Sequence, residues 1–166
     1  TLARAASAKG LKAGILSRGY GGSMDRTTLV DALHHRAKDV GDETVTMAGD
    51  FRNALSQTNP DDPAFLSYYL EQVFRRRLSE SAIVSVGADG IQRTEAVATE
   101  NDSRKQDWIA ADILKKLNAG EGMVIANRAD RIEAVTILFD TPRSYLYASR
   151  ALSVPSFALG EKAQTV

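Results

Sequence analysis

The chain has 166 residues, 43% of them hydrophobic and 25% charged, with 21 Lys+Arg against 21 Asp+Glu and no cysteine. That length suits one domain burying about 70% of its unfolded surface. The charge balance leaves no net field to draw nucleic acid or an anionic membrane, and the missing thiol excludes disulfides, thiolate metal sites and a cysteine nucleophile. No apolar run approaches the ~20 residues that a membrane helix needs. The chain starts on Thr1 without a signal-peptide pattern, so it reads as an excised piece of something larger, compatible with cytoplasm or periplasm.

The first segment, "TLARAASAKG", is alanine-rich and ends on Gly10, a helix C-cap signal. "LKAGILS" follows as a short apolar run, and the glycines of "RGYGGS" demand a loop. From Thr27 to Gln57 a helical period emerges. Val30, Leu33, Ala37, Val40, Thr44, Met47, Phe51 and Ala54 recur at alternating steps of three and four, and only Thr44 is not apolar. Asp25 is placed to cap this helix. Gly41 and Gly49 oppose it at about 1 kcal/mol each relative to alanine, which predicts one long helix kinked near Gly41.

"SQTNPDDP" is a turn cluster in which Asp62 caps a second helix and Pro63 opens it. Leu66, Tyr69, Leu70, Val73 and Phe74 are its expected apolar stripe. Arg75, Arg76 and Arg77 suit its carbonyl end, where cations complement the dipole. No other basic cluster supports a nucleic-acid patch. "AIVSVGADGIQRTEAVA" is two β-rich runs around a hairpin turn. "NDSRKQDWIAADILKKLNAG" reads as a capped helix with Trp108, Ile109, Ile113 and Leu117 inward and Gly120 past its end. "GMVIANRADRIEAVTILFD" supplies a strand, a turn and a longer strand. "SYLYASRAL" alternates as a half-exposed strand, and "GEKAQTV" is a frayed tail. Tight turns pair strands antiparallel. The sum is an α+β domain: five antiparallel strands with the helices gathered on one side.

Few residues carry chemistry. His34 and His35 are adjacent on a helix and point to different sides, so one metal ion is not shared between them. Asp42 and Glu43 lack a pocket for acid/base work. No catalytic residue, metal or cofactor is expected. Arg143, Tyr145, Tyr147 and Arg150 are the polar groups best placed to line a ligand pocket, an arginine there being suited to gripping a carboxylate. The alternative lays both tyrosines over the sheet with their hydroxyls in water.

Two family resemblances complete this picture. "GDETVTMAGDFRNAL", "FLSYYLEQVFRRRLSESAIVSVGADGIQRTEA" and "SYLYASRALSVPSF" together resemble the extracytoplasmic sensor region of NtrY-type nitrogen-regulation histidine kinases, over about residues 41–166. That resemblance implies a PAS-like (PDC) five-stranded antiparallel sheet with a long N-terminal helix. It implies a non-catalytic sensory domain, a periplasmic location on an inner-membrane protein, and a signal passed by helix displacement. It also implies a homodimer through the long helix, a small-molecule ligand in some members, and no nucleic-acid partner. The helical seam either pairs with a second copy or packs on the domain's own sheet, and both remain open. "TLARAASAKGLKAGILSRGYGGS" and "VDALHHRAKDVGDE", within residues 1–43, are similar to the tetraacyldisaccharide 4'-kinase of lipid A synthesis. The phosphate-loop pattern G-x-x-x-x-G-K-[ST], which ATP chemistry needs, is absent from the chain, as is a "DDGFQ"-like segment. The expected organisation is an extension over 1–26, a sensor domain over 27–160 and a tail over 161–166. The two resemblances meet at "VGDETVTM".

Overall fold

The computed structural model describes residues 22–99 and 107–152, with side chains from position 26. The readings of residues 1–21, the capping role of Asp25 and the C-terminal tail lie outside the described residues. The chain divides into two compact units, Thr1–Arg36 and Ala37–Val166.

The elements follow the expected order. Helix α1 spans Gly22–Leu55 and helix α2 Pro63–Arg75. Strands β1 (Glu80–Val86) and β2 (Gln92–Thr99) form the hairpin, with Gly90 at φ 79° in its turn. Helix α3 covers Ala111–Asn118. Strands β3 (Met123–Asn127), β4 (Arg131–Asp140) and β5 (Arg143–Ala151) close the chain. The sheet has five strands in the order β2-β1-β5-β4-β3, each neighbouring pair antiparallel. The last strand is thus inserted at the centre, beside the first.

Within the second unit the sheet buries both faces. On one face Ile83, Ile132, Ala134, Leu138, Leu146 and Ala148 pack with Val40, Met47 and Phe51 of α1 and with Phe65, Tyr69 and Val73 of α2. On the other face Ala82, Val84, Val135, Tyr145 and Tyr147 pack with Trp108, Ile109, Ile113 and Leu117. The helices are therefore not gathered on one side, because α3 covers the face opposite α1 and α2. The period-two alternation of strand side chains assigns each residue to its face. It also explains why β5 is buried nearly throughout rather than half exposed: a central strand covered on both faces has no solvent side.

The α1 seam packs on the domain's own sheet from Ala37 onward. Val40, Thr44, Met47 and Phe51 have no exposed surface. Thr44 fits this apolar seam because its hydroxyl donates to the Val40 carbonyl one turn back, at 2.7 Å. Upstream in the first unit the same periodic stripe is open: Val30 and Leu33 are exposed, as is Leu29 on their flank.

The helix runs unbroken through both glycines, and they differ in kind. A β-carbon on Gly41 would lie 2.7 Å from Ile125 Cδ1 and 2.9 Å from Met123 Cε, so this glycine lets α1 approach β3 closely. A β-carbon on Gly49 meets only Arg52 Nη2, at 3.7 Å. Gly49→Ala is therefore expected to raise stability by about 1 kcal/mol, readable as a higher urea midpoint with unchanged slope.

α2 departs from its predicted stripe. Asp62 caps it as expected, its Oδ1 accepting from Ala64 N at 2.8 Å, and Pro63 stands at its first position. Phe65, Tyr69 and Val73 are buried, whereas Leu70 and Phe74 are 54% and 79% exposed. α3 starts at Ala111 without a side-chain cap. Trp108 and Ile109 are buried as predicted, but they belong to the segment leading into the helix.

Candidate functional site

The four residues singled out as ligand candidates all lie on β5, and strand alternation splits them. Arg143, Tyr145 and Tyr147 fall on the α3 face, and Arg150 falls on the face of α1 and α2.

Both tyrosines are 1% exposed, so their hydroxyls are not in water. The Tyr147 hydroxyl donates to Glu133 Oε2 at 2.7 Å. Glu133, only 3% exposed, also accepts from Arg128 Nε and Arg131 Nε, each at 2.9 Å. Arg128 reaches on to Asp112 of α3 at 3.4 Å. Burial alone pushes the Glu133 carboxyl up, and hydrogen bonds from Arg128, Tyr147 and Arg131 outweigh it, holding it below the ordinary 4.5. Burial first and the Glu133 carboxylate second push the Tyr147 phenol up, so it stays a donor. Arg128 and Arg131 flank the β3–β4 turn. What they do is lock that turn onto the sheet through one buried carboxylate. Sequence reading passed over Glu133, which sits in a strand as an ordinary acidic residue. Its one signal is a carboxylate interrupting an otherwise apolar run.

Tyr145 packs in the same cluster, with its hydroxyl 3.4 Å from Asn118 Oδ1. Arg143 lies 5.7 Å from the Tyr145 ring centre and pairs with Asp140 at 2.7 Å. Across the sheet a second buried polar path runs from α2. Tyr69 donates to Ser81 Oγ at 2.8 Å, and Ser81 donates to the Tyr147 carbonyl at 2.7 Å.

Arg150 joins three elements. Its Nε and Nη2 donate to the carbonyls of Arg77 and Arg76, at 3.0 and 2.9 Å, and Nη1 pairs with Asp39 of α1 at 2.9 Å. A cation thus closes the carbonyl end of α2. Beside it Arg76 pairs with Glu43 at 2.5 Å and Asp50 at 3.1 Å, both on α1. The helix end is made by Arg77, which adopts φ 59°, while Leu78 N bonds back to the Val73 carbonyl at 3.0 Å. Glycine is the residue suited to that left-handed position. The Arg77 side chain is exposed, and the residue acts through its backbone, its N–H donating to the Phe74 carbonyl at 3.1 Å and its carbonyl accepting from Arg150. Arg77→Gly is therefore expected to stabilise the domain by about 0.5–1 kcal/mol in a chemical melt.

One groove stands out, of about 460 Å³, between α2 and the end of β2. Leu70, Phe74, Leu78 and Ala98 line it, together with Ser79 and Thr99. Three of its polar side chains have partners within the domain: Ser79 Oγ accepts from Ala151 N at 2.8 Å, Thr99 donates to Glu80 at 2.8 Å and Glu71 accepts from Arg75 at 2.7 Å. The groove lies on the α1/α2 face and not behind Tyr145 and Tyr147. Among the described residues no cluster of His, Cys, Asp and Glu is arranged to hold a metal ion.

A five-stranded antiparallel sheet with a long N-terminal helix on one face places the molecule in the PAS-like α+β class. The model of the NtrY N-terminal region matches residues 25–166, and the chain belongs to this family. It is also similar to tetraacyldisaccharide 4'-kinases. That of Rhizobium etli (strain ATCC 51251 / DSM 11541 / JCM 21823 / NBRC 15573 / CFN 42) is 48% identical over 92 residues, 55% of this chain and 23% of the relative. That of Agrobacterium fabrum is 57% identical over 56 residues, 34% and 16% of the two chains. That of Allorhizobium ampelinum is 66% identical over 47 residues, 28% and 14%. The chain spans at most about a quarter of the length of these curated relatives. Only residues 1–24 lie outside the NtrY match, so a 92-residue match to the kinase runs well into it.

Proposed function

We propose that this chain is the sensory domain of a membrane-bound, NtrY-type two-component histidine kinase, held outside the cytoplasmic membrane and passing its signal by displacement of α1. The family match supports the sensor assignment. The observation that carries the mechanism is the division of one helical stripe. From Ala37 to Phe51 it is buried against the domain, and at Val30 and Leu33 it is exposed. A helix bound to its own sheet at one end and apolar at the other is suited to pairing with a second copy there. Among the described residues no helix is long and apolar enough to cross a membrane. The predicted ligand residues each have a partner within the domain, Arg143 with Asp140, Tyr145 with Asn118, Tyr147 with Glu133 and Arg150 with Asp39, so a small molecule bound there has to displace these contacts.

The chain has no cysteine, so single cysteines report cleanly once any thiols elsewhere in the parent kinase are replaced by serine. In membranes carrying the full-length kinase, oxidation is expected to cross-link V30C and L33C, and to leave D31C and H35C monomeric. Cross-linking that ignores the helical period, or none at any position, defeats the pairing.

The similarity to the lipid A kinases favours a second reading, a hybrid or fragment of that enzyme without its phosphate loop. Thermal shift with Mg-ATP separates the two, since a ligand that binds only the folded state raises the midpoint. No shift is expected for the sensor, and a clear rise at modest concentration supports the kinase fragment.

A further inference from the structure

The arginine junction at the end of α2 does more than cap a helix. Asp39, Glu43 and Asp50 are spaced by four and seven residues, which puts all three on one side of α1. Each meets a guanidinium rooted elsewhere: Asp39 meets Arg150 of β5, and Glu43 and Asp50 both meet Arg76 at the end of α2. The arginines are the buried partners, their side chains 18% and 21% exposed, whereas the carboxylates are 32% to 55% exposed. Losing the carboxylates leaves Arg150 with its two carbonyl acceptors and Arg76 with Gln72 Oε1, two partly desolvated cations without a counter-charge, which costs more than losing a fully exposed pair. Apart from long hydrogen bonds from Arg52 Nη1 to the Ile137 and Leu138 carbonyls, at 3.3 and 3.4 Å, the other α1 contacts with the sheet are mostly apolar side chains, which resist separation and place less demand on axial register. Directional charge pairs supply that demand. The junction also carries a cost, because Arg76 Nε is buried without a hydrogen-bond partner among the described residues.

We propose that Arg76 and Arg150, with Asp39, Glu43 and Asp50, form the latch that sets the axial position of α1 on the domain. Movement of the β5–α2 end reaches α1 through this latch. The latch stands on geometry alone, and only its role in signalling rests on the sensor reading above.

The test uses the isosteric triple variant Asp39→Asn, Glu43→Gln, Asp50→Asn, which leaves the apolar seam untouched. Its control is Asp42→Asn, which breaks an exposed pair with Lys38 outside the latch. Hydrogen exchange of the intact chain is followed by mass spectrometry. The triple variant is expected to speed exchange across Val40–Phe51 about tenfold while β1 and β5 keep their rates, a local opening of α1 against an intact sheet. The control is expected to match the wild type. Unchanged α1 exchange overturns the latch. So does equal acceleration in α1 and the strands, because that is the mark of mere global destabilisation. The same triple variant in the full-length kinase, shifted between ammonium-rich and ammonium-poor medium, is expected to lose its change in phosphotransfer output. If exchange shifts as stated and output still responds, the latch stands and the signalling role falls.

Discussion

Glu133→Gln is expected to cost about 3 kcal/mol of folding stability at pH 7, the range seen when one member of a buried ion pair is removed. The carboxylate accepts from Arg128, Arg131 and Tyr147 while 3% exposed. The amide keeps the size and one acceptor oxygen, but its NH2 group faces guanidinium donors that cannot accept from it, leaving only the Tyr147 hydroxyl able to turn and accept. The two arginines are about a third exposed, so water recovers part of the loss, which keeps the cost below the top of that range. The pH dependence carries a second signature. The folded carboxyl is held below 4.5, so the unfolded chain takes up this proton first. The stabilisation is complete above 4.5 and fades as pH falls through the lower, folded value. Glu133→Gln removes that contribution, so the gap between wild type and variant should narrow on acidification. Urea melts at pH 7 and pH 4 measure it, and a gap that stays constant or widens contradicts the account.

Phe51→Ala is expected to cost about 3–5 kcal/mol, the usual toll for emptying a buried aromatic site. Phe51 has no exposed surface and meets Phe65 and Tyr69 edge-on, with ring centres 5.5 and 5.1 Å away. Tyr68 adds a third edge contact at 5.8 Å. The ring is where α1 and α2 meet over the sheet, so the cavity opens between rigid elements that cannot close around it. The variant should melt well below the wild type, and Phe51→Leu should recover much of the loss. A Phe51→Ala midpoint within a degree or two of the wild type would mean that the aromatic cluster does not hold α1.

Much of the fold was legible because local signals agreed with one another. The three-and-four spacing in α1, the Asp62–Pro63 start of α2, the turn around Gly90 and the strand–turn–strand run to Asp140 all appear at their predicted places. Mistakes arose where a residue's role depends on a distant partner. Leu70 and Phe74 share the helical period of the buried stripe, yet they face outward because α2 meets α1 and the sheet through Phe65, Tyr69 and Val73. Arg150 looked like a ligand grip on a strand, but Asp39 is 111 residues away in sequence and claims it. Glu133 carried no marking at all, since only folding brings Tyr147 and the two arginines around its carboxylate.

Periodicity in a single chain determined which segments become helices and strands, and in what order, because hydrophobic repeats and turn residues act over a few neighbours. It also determined that α1 is apolar along one side from Val30 to Ala54. Only the tertiary structure decided that β5 lies at the centre of the sheet, that α3 covers the face opposite α1, and that the α1 seam is covered from Ala37 onward and open at Val30 and Leu33. The reason is physical: burial and ion pairing are properties of what lies across a contact, and residues far apart in sequence become partners only once the chain has closed on itself.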